Sequence, residues 1–194
     1  KWAISVNAVG LRINTALPGS LYGSRGHNEY KKAVFIMAIR NLTNFNDPLF
    51  RKKSKEVVKF DERLWTLLDD MRDTLERVNG YGCAAVHVGA LRQAVVVNDE
   101  NGVIELINPF ITEASDEKER VLEGSIAPGA PRGYVERPVK VTVSAVDRHN
   151  KPIVITGEGF LAATFCHEID HLDGVLFTDK AVEILPDKIT ALKR

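Results

Sequence analysis

The run His167-Glu168-Ile169-Asp170-His171 sets two imidazoles four residues apart, with a carboxylate directly after the first. On a helix, residues four apart share one face about a turn from each other. Two histidines so placed can grip one metal ion, and Glu168 stands beside them to take a proton from water that the metal activates. The same residues would also make a solvated polar helix face that needs no metal. The flanking residues favour the metal. Leu161, Phe165, Ile169 and Leu172 form an apolar stripe at helical spacing, and the two histidines lie off it. His167 and His171 are therefore not simple core residues.

A helix of this kind needs a scaffold, and the preceding residues describe one. Asp61 caps a helix whose apolar positions are Leu64, Leu68, Met71, Leu75 and Val78, and Gly80 stops it. The segment Gly80-Tyr81-Gly82-Cys83-Ala84-Ala85-Val86-His87 is rich in small residues, so backbone there approaches a strand or a ligand closely. Residues 94–97 and 103–107 are β-rich runs joined by a turn-like segment, and Asn108-Pro109 ends the second. Residues 112–120 are charged and suit a solvated edge strand or loop, and 123–131 hold too many turn formers for regular structure. Residues 139–146 and 152–156 form a second hairpin, with His149 exposed in its turn. Gly174 ends the motif helix, Val175-Leu176-Phe177 makes a short last strand, and a solvated tail follows. The fold class is α+β: antiparallel or mixed β-strands around a C-terminal metal-motif helix, with an N-terminal amphipathic helix.

Composition narrows the function. Lys and Arg number 26, as do Asp and Glu, so no excess charge calls for nucleic acid or an anionic membrane. No apolar run is long enough to span a bilayer. Cys83 and Cys166 are too few for a disulfide framework or a cysteine-rich zinc module, and they suit a reducing compartment. Residues 1–36 are basic and acid-poor and read as an N-terminal extension outside the core fold. They fit upstream or added sequence, an organelle-targeting segment, or a genuine arm; the text changes sharply at Met37. The core domain spans 37–180 and a tail 181–194. Asp47-Pro48-Leu49 with Arg51-Lys52-Lys53 reads as an extended, solvated stretch.

Three segments in this order resemble the peptide deformylase family: the glycine-rich Gly80–His87 segment, Glu123-Gly124-Ser125, and the His167-Glu168-Ile169-Asp170-His171 helix. The likeness runs over about 37–180 and includes Glu105-Leu106-Ile107-Asn108-Pro109 and Tyr134-Val135-Glu136-Arg137-Pro138. It implies removal of the formyl group from formyl-methionyl nascent peptides, at the ribosome, by a cytoplasmic monomer, or in an organelle if 1–36 is a targeting segment. It implies one divalent metal, Fe(II) first, with Zn, Ni or Co as replacements. His167 and His171 then hold the metal, and Glu168 is base and acid. The backbone N–H of Ile126 steadies the formyl oxygen, and Gly80, Gly82 and Ile126 line the substrate.

Two positions depart from that pattern. Ser125 stands where the family has its metal-binding cysteine, and His87 stands where it has glutamine. A neutral hydroxyl is a poor ligand beside a thiolate, so Ser125 as third ligand implies weak metal retention and reduced activity. His87 has three readings: catalytic donor to the oxyanion, replacement metal ligand, or tolerated polar residue. Cys166 points about 100° away from His167 around the helix and reads, like Cys83, as a small buried hydrophobe. Asp170 suits a structural partnership with a residue such as Arg137. Besides a deformylase, the residues allow an impaired homologue that binds peptides or regulates, and a metal hydrolase of another acyl substrate.

Overall fold

The computed structural model describes residues 41–100 and 102–186. The expectations for residues 1–36, and for the end of the tail, lie outside these. The order is α1 (Glu62–Val78), β1 (Gly82–Ala84), β2 (Ala94–Asp99), β3 (Gly102–Ala114), β4 (Lys118–Glu123), β5 (Arg132–Pro138), β6 (Lys140–Val146), β7 (Pro152–Glu158), α2 (Phe160–Leu172), α3 (Phe177–Lys180) and β8 (Ala181–Leu185). The strands form two antiparallel sheets, β1-β2-β3-β6-β7 and β4-β5-β8. The α+β class holds.

The motif helix α2 packs on β1, β2, β6 and β7 of the larger sheet and on β5 of the smaller. Phe165, Phe50, Phe177, Leu106 and Val143 form the core around it. A helix held between two sheets is covered on more than its apolar stripe. His167, Glu168 and His171 are therefore buried although they lie off that stripe. The second core lies under α1, where Leu68, Met71 and Leu75 meet Val96 and Ile107.

Asp61 caps α1 as its residue type requires, accepting the N–H groups of Arg63 and Leu64 at 3.2 Å. The stop is shared: Asn79 takes the left-handed conformation, and Gly80 follows. A Cβ on Gly80 would lie 2.7 Å from Leu75 and 2.9 Å from Ile126. Asp61→Ala should cost about 1 kcal/mol, typical of a lost cap. That would lower the melting temperature by roughly 2–4 °C, measured by circular dichroism.

Several elements differ from expectation. The stretch after Asp47 is a 3-10 turn, Pro48–Arg51, not an extended solvated loop, and its Phe50 is fully buried. Asp47 caps it and proline occupies its first position, where a missing N–H costs nothing. The strand at Asn108-Pro109 does not end there. It continues to Ala114 through a register shift, with Asn108 at φ 52°. The Asn108 amide exchanges two hydrogen bonds with the Val57 backbone, at 2.8 and 2.9 Å, tying down the approach to α1. The charged run at 112–120 ends one strand and starts another. Phe177 opens a short helix rather than closing a strand, and the start of the presumed tail is β8, paired with β5.

Candidate active site

Three segments converge on one buried point. The first is β1 with the 3-10 turn Ala85–Val88, which carries His87 inward. His87 is 1% exposed. Its Nδ1 lies 3.1 Å from both the amide nitrogen and the carbonyl oxygen of Ala84. Gly89 then closes the turn at φ 79°, a backbone conformation side chains rarely take. The second segment is the turn after β4, with Glu123, Ser125 and Ile126. The third is α2. Gly174, just past its end, lets the chain pass Arg51: a Cβ there would sit 2.8 Å from the Arg51 carbonyl oxygen.

The two helix histidines face each other, Nε2 to Nε2, at 3.1 Å. Two nitrogens bound to one ion at about 2.0–2.1 Å in tetrahedral geometry stand about 3.3 Å apart, so the pair is already spaced for a shared metal. His167 is turned this way by Glu123, whose Oε2 accepts from its Nδ1 at 2.7 Å. A carboxylate on the far nitrogen is the usual way of aiming a metal-binding imidazole. Glu123 is itself held by Arg137 at 2.6 and 3.1 Å, and Arg137 reaches Asp170 at 2.7 Å. The Arg137–Asp170 partnership expected from sequence is present. The Glu123–His167 bond was not expected. Its only sequence sign was that Glu123-Gly124 kept the family pattern.

Electrostatics follow the burial. Burial raises Glu168 to about 7, partly opposed by His167. Burial and the nearby His167 lower His87 to about 3. Burial also drives His171 well below the ordinary histidine value. Burial works against a charged His167 too, but the Glu123 bond and the neighbouring carboxylates outweigh it and raise the group. Among the described residues, the buried Oε2 of Glu168 and Nδ1 of His171 have no hydrogen-bond partner. Phe50 packs edge-on against His87 and tilted against His171, and Phe177 stacks on His167.

The expected site residues come together, with distinct surroundings. Gly80, Gly82, Ser125, Ile126, His167 and Glu168 all line an open cleft of about 790 Å³. The space left at Gly82 is taken by Glu168, whose Cγ and Cδ would lie 2.7 and 2.8 Å from a Cβ there. Gly82→Ala should therefore push Glu168 aside and cut turnover by about 100-fold, as a misplacement of about 1 Å does. Steady-state kinetics with a thermal melt would separate that loss from unfolding. Ser125 Oγ accepts the Ala127 N–H at 3.2 Å and lies 3.0 Å from Nε2 of His87. Cys83 and Cys166 are free and buried, packed as hydrophobes. Burial raises both thiols.

Paired imidazoles with a protonatable carboxylate beside them, opening through His167 and Glu168 on a peptide-sized cleft, are the equipment of a metal-dependent hydrolase. The donor set suits a divalent ion: two nitrogens at the right separation, one oriented by a carboxylate, and a further buried imidazole close by. The sequence profile for polypeptide deformylase matches residues 39–186, and the chain belongs to that family. It is 47% identical to the peptide deformylase of Caldicellulosiruptor bescii over 152 residues, which is 78% of this chain and 91% of that one. The peptide deformylase of Finegoldia magna is 42% identical over 158 residues, covering 80% and 98%. Among solved structures, the Legionella pneumophila peptide deformylase matches with a TM-score of 0.70 at 37% identity, covering 80% of this chain and 92% of that one. The Thermotoga maritima peptide deformylase matches with a TM-score of 0.71 at 34% identity, covering 74% and 97%.

Proposed function

We propose that the chain hydrolyses the formyl amide of formyl-methionyl peptides, with His167 and His171 holding a divalent metal and Glu168 moving the proton. The observation that carries this is the facing Nε2 pair beside a buried Glu168 raised to about 7. When bound, the metal supplies Lewis acidity, polarising the carbonyl and making water a stronger nucleophile. Glu168 takes the proton of the attacking water and returns it to the departing amine, and a value near 7 suits both transfers. Ile126, in the cleft wall, offers its backbone N–H to the oxyanion. His87 is a weaker candidate for that task. It is buried, and its Nε2 is turned on Ser125.

The cleft also suits an extended peptide. It is lined by Gly82 of β1 and by Val121 and Leu122 of β4, strands at the free edges of the two sheets. A peptide backbone can bond to such edges. Tyr81 and Phe160, exposed and 4.7 Å apart edge to face, form an apolar lip at the cleft. We assign nascent chains at the ribosome as the substrate pool, a monomer as the working form, and Fe(II) as the first choice of metal. Two free thiols accord with a reducing cytoplasm. Among the described residues, no helix is long and apolar enough to cross a membrane.

The test is formate release from a formyl-methionyl tripeptide by protein reconstituted with Fe(II), Zn, Ni or Co. Turnover that stops on chelation and returns on metal addition supports the reading. Protein that carries one metal per chain and leaves the peptide intact rejects it.

A further inference from the structure

We propose that His87, rather than Ser125, completes the metal centre, so that the ion is held by three imidazoles. This rests on the deformylase reading only for the presence of a metal between His167 and His171. The ligand-bearing atoms of His87 and His171 lie within 4.8 Å of one another and of a Glu168 carboxylate oxygen, all buried, and His167 joins this group through the 3.1 Å Nε2 pair with His171. The His87 and His171 rings stand perpendicular, 4.8 Å between centroids. The Nε2 of His87 lies 3.0 Å from Ser125 Oγ. The imidazole has thus been carried to the side of the site that the deformylase pattern assigns to the cysteine.

The surroundings of His87 suit a ligand. A metal-binding histidine usually donates its other ring N–H to a carbonyl or carboxylate, which fixes the tautomer. Nδ1 of His87 lies 3.1 Å from both the amide nitrogen and the carbonyl oxygen of Ala84. A metal on Nε2 selects the tautomer in which Nδ1 donates to that carbonyl. Ser125 is poorly placed by comparison. Its Oγ already accepts the Ala127 N–H at 3.2 Å, and a neutral hydroxyl binds iron or zinc weakly. A three-histidine set with one open position is a workable catalytic arrangement, and imidazole suits iron, zinc and nickel alike.

The two departures from the family pattern are then one exchange. Residues 87 and 125 are 38 apart in sequence but touch in the fold. Thiolate and amide are replaced by hydroxyl and imidazole across a single contact. The ligand lost at 125 is regained at 87. The change also removes one negative charge from the coordination sphere. The centre is therefore more cationic and insensitive to thiol oxidation.

The test reads the metal itself. Full-length protein, stripped with chelator, is titrated with Co(II) and followed by visible absorption, with Zn affinity measured by competition. Wild type should bind one Co(II) with d–d bands and no sulfur charge-transfer band in the near ultraviolet. Losing an outer partner alone costs about 10–100-fold in affinity, so His87→Ala should cost at least about 100-fold. Ser125→Ala should stay within about 3-fold, since it loses no ligand. His87→Gln, which restores the family's amide, should also lose metal. His87→Gln with Ser125→Cys should regain it and gain the sulfur band. Folding of each variant is checked by far-ultraviolet circular dichroism. A folded His87→Gln that keeps wild-type affinity and spectrum overturns the proposal, as does a Ser125→Ala that loses metal as badly as His87→Ala. A wild type that binds cobalt through His87 but spares formyl peptides upholds the three-imidazole centre and rejects only the deformylase activity.

Discussion

Glu168→Gln is expected to lower kcat by about 10²–10⁴-fold, the range for loss of a positioned general base. The amide matches the carboxylate in shape, so the cleft and the room at Gly82 are preserved. It cannot take up a proton from water. Glu168 is 4% exposed and, among the described residues, its Oε2 has no hydrogen-bond partner, so no bond to that oxygen is broken by the change. Burial is the largest influence on Glu168 and penalises its charged form, so the neutral variant should melt at the same temperature or higher. Co(II) affinity should be close to wild type if Glu168 moves protons and does not ligate. The measurement is kcat on a formyl-methionyl peptide beside metal content and a thermal melt. A folded, metal-loaded Glu168→Gln within about 3-fold of wild type would remove Glu168 from the proton-transfer role.

How far the site could be read in advance depended on how local each relation was. His167, Glu168 and His171 are set by helical spacing within five residues, so their shared location needed no tertiary knowledge. The two hairpins were legible for the same reason, through alternation and turn residues. The contact of His87 with Ser125 joins a 3-10 turn to a loop beyond β4, and no periodic pattern encodes it. Glu123 and His167 are 44 residues apart, and their bond exists only because β4 ends beside α2. Phe50 was missed because a four-residue 3-10 turn leaves no period, and its cationic neighbours made the stretch look solvated. The strand Ala181–Leu185 was missed because it is an outer strand of a small sheet, mostly exposed and not cleanly alternating. The burial of the histidine face was not legible because amphipathicity assumes one covered side, and α2 is covered by two sheets.

Arg137→Leu is expected to destabilise the protein by about 3–5 kcal/mol, the cost of removing one partner from a buried ion pair. Arg137 is 3% exposed and makes three bonds, two to Glu123 and one to Asp170. Leucine supplies volume but no donor. Asp170 keeps Lys180 at 2.7 Å, so most of the damage falls on Glu123, a buried carboxylate that keeps, among the described residues, its bond to His167. Arg137→Lys should recover only part of the loss, because a single ammonium cannot fork onto Glu123 and also reach Asp170. The acid response carries a sign. Burial opposes the charged Glu123, but its bonds to His167 and Arg137 outweigh this and hold it below the ordinary carboxylate value. Its contribution to stability is therefore complete above that ordinary value and is lost as pH falls through the depressed one. Arg137→Leu removes part of the depression, so its stability should fall less steeply on acidification than that of wild type. Urea unfolding across the acid range measures both effects. The same variant tests whether the network aims the metal ligand as well as holding the fold. If Glu123 orients His167 only while Arg137 fixes it, Arg137→Leu should weaken Co(II) binding by about 10–100-fold under conditions where it remains folded. Destabilisation with unchanged cobalt affinity would show that Arg137 serves the fold alone and that Glu123 holds His167 without it.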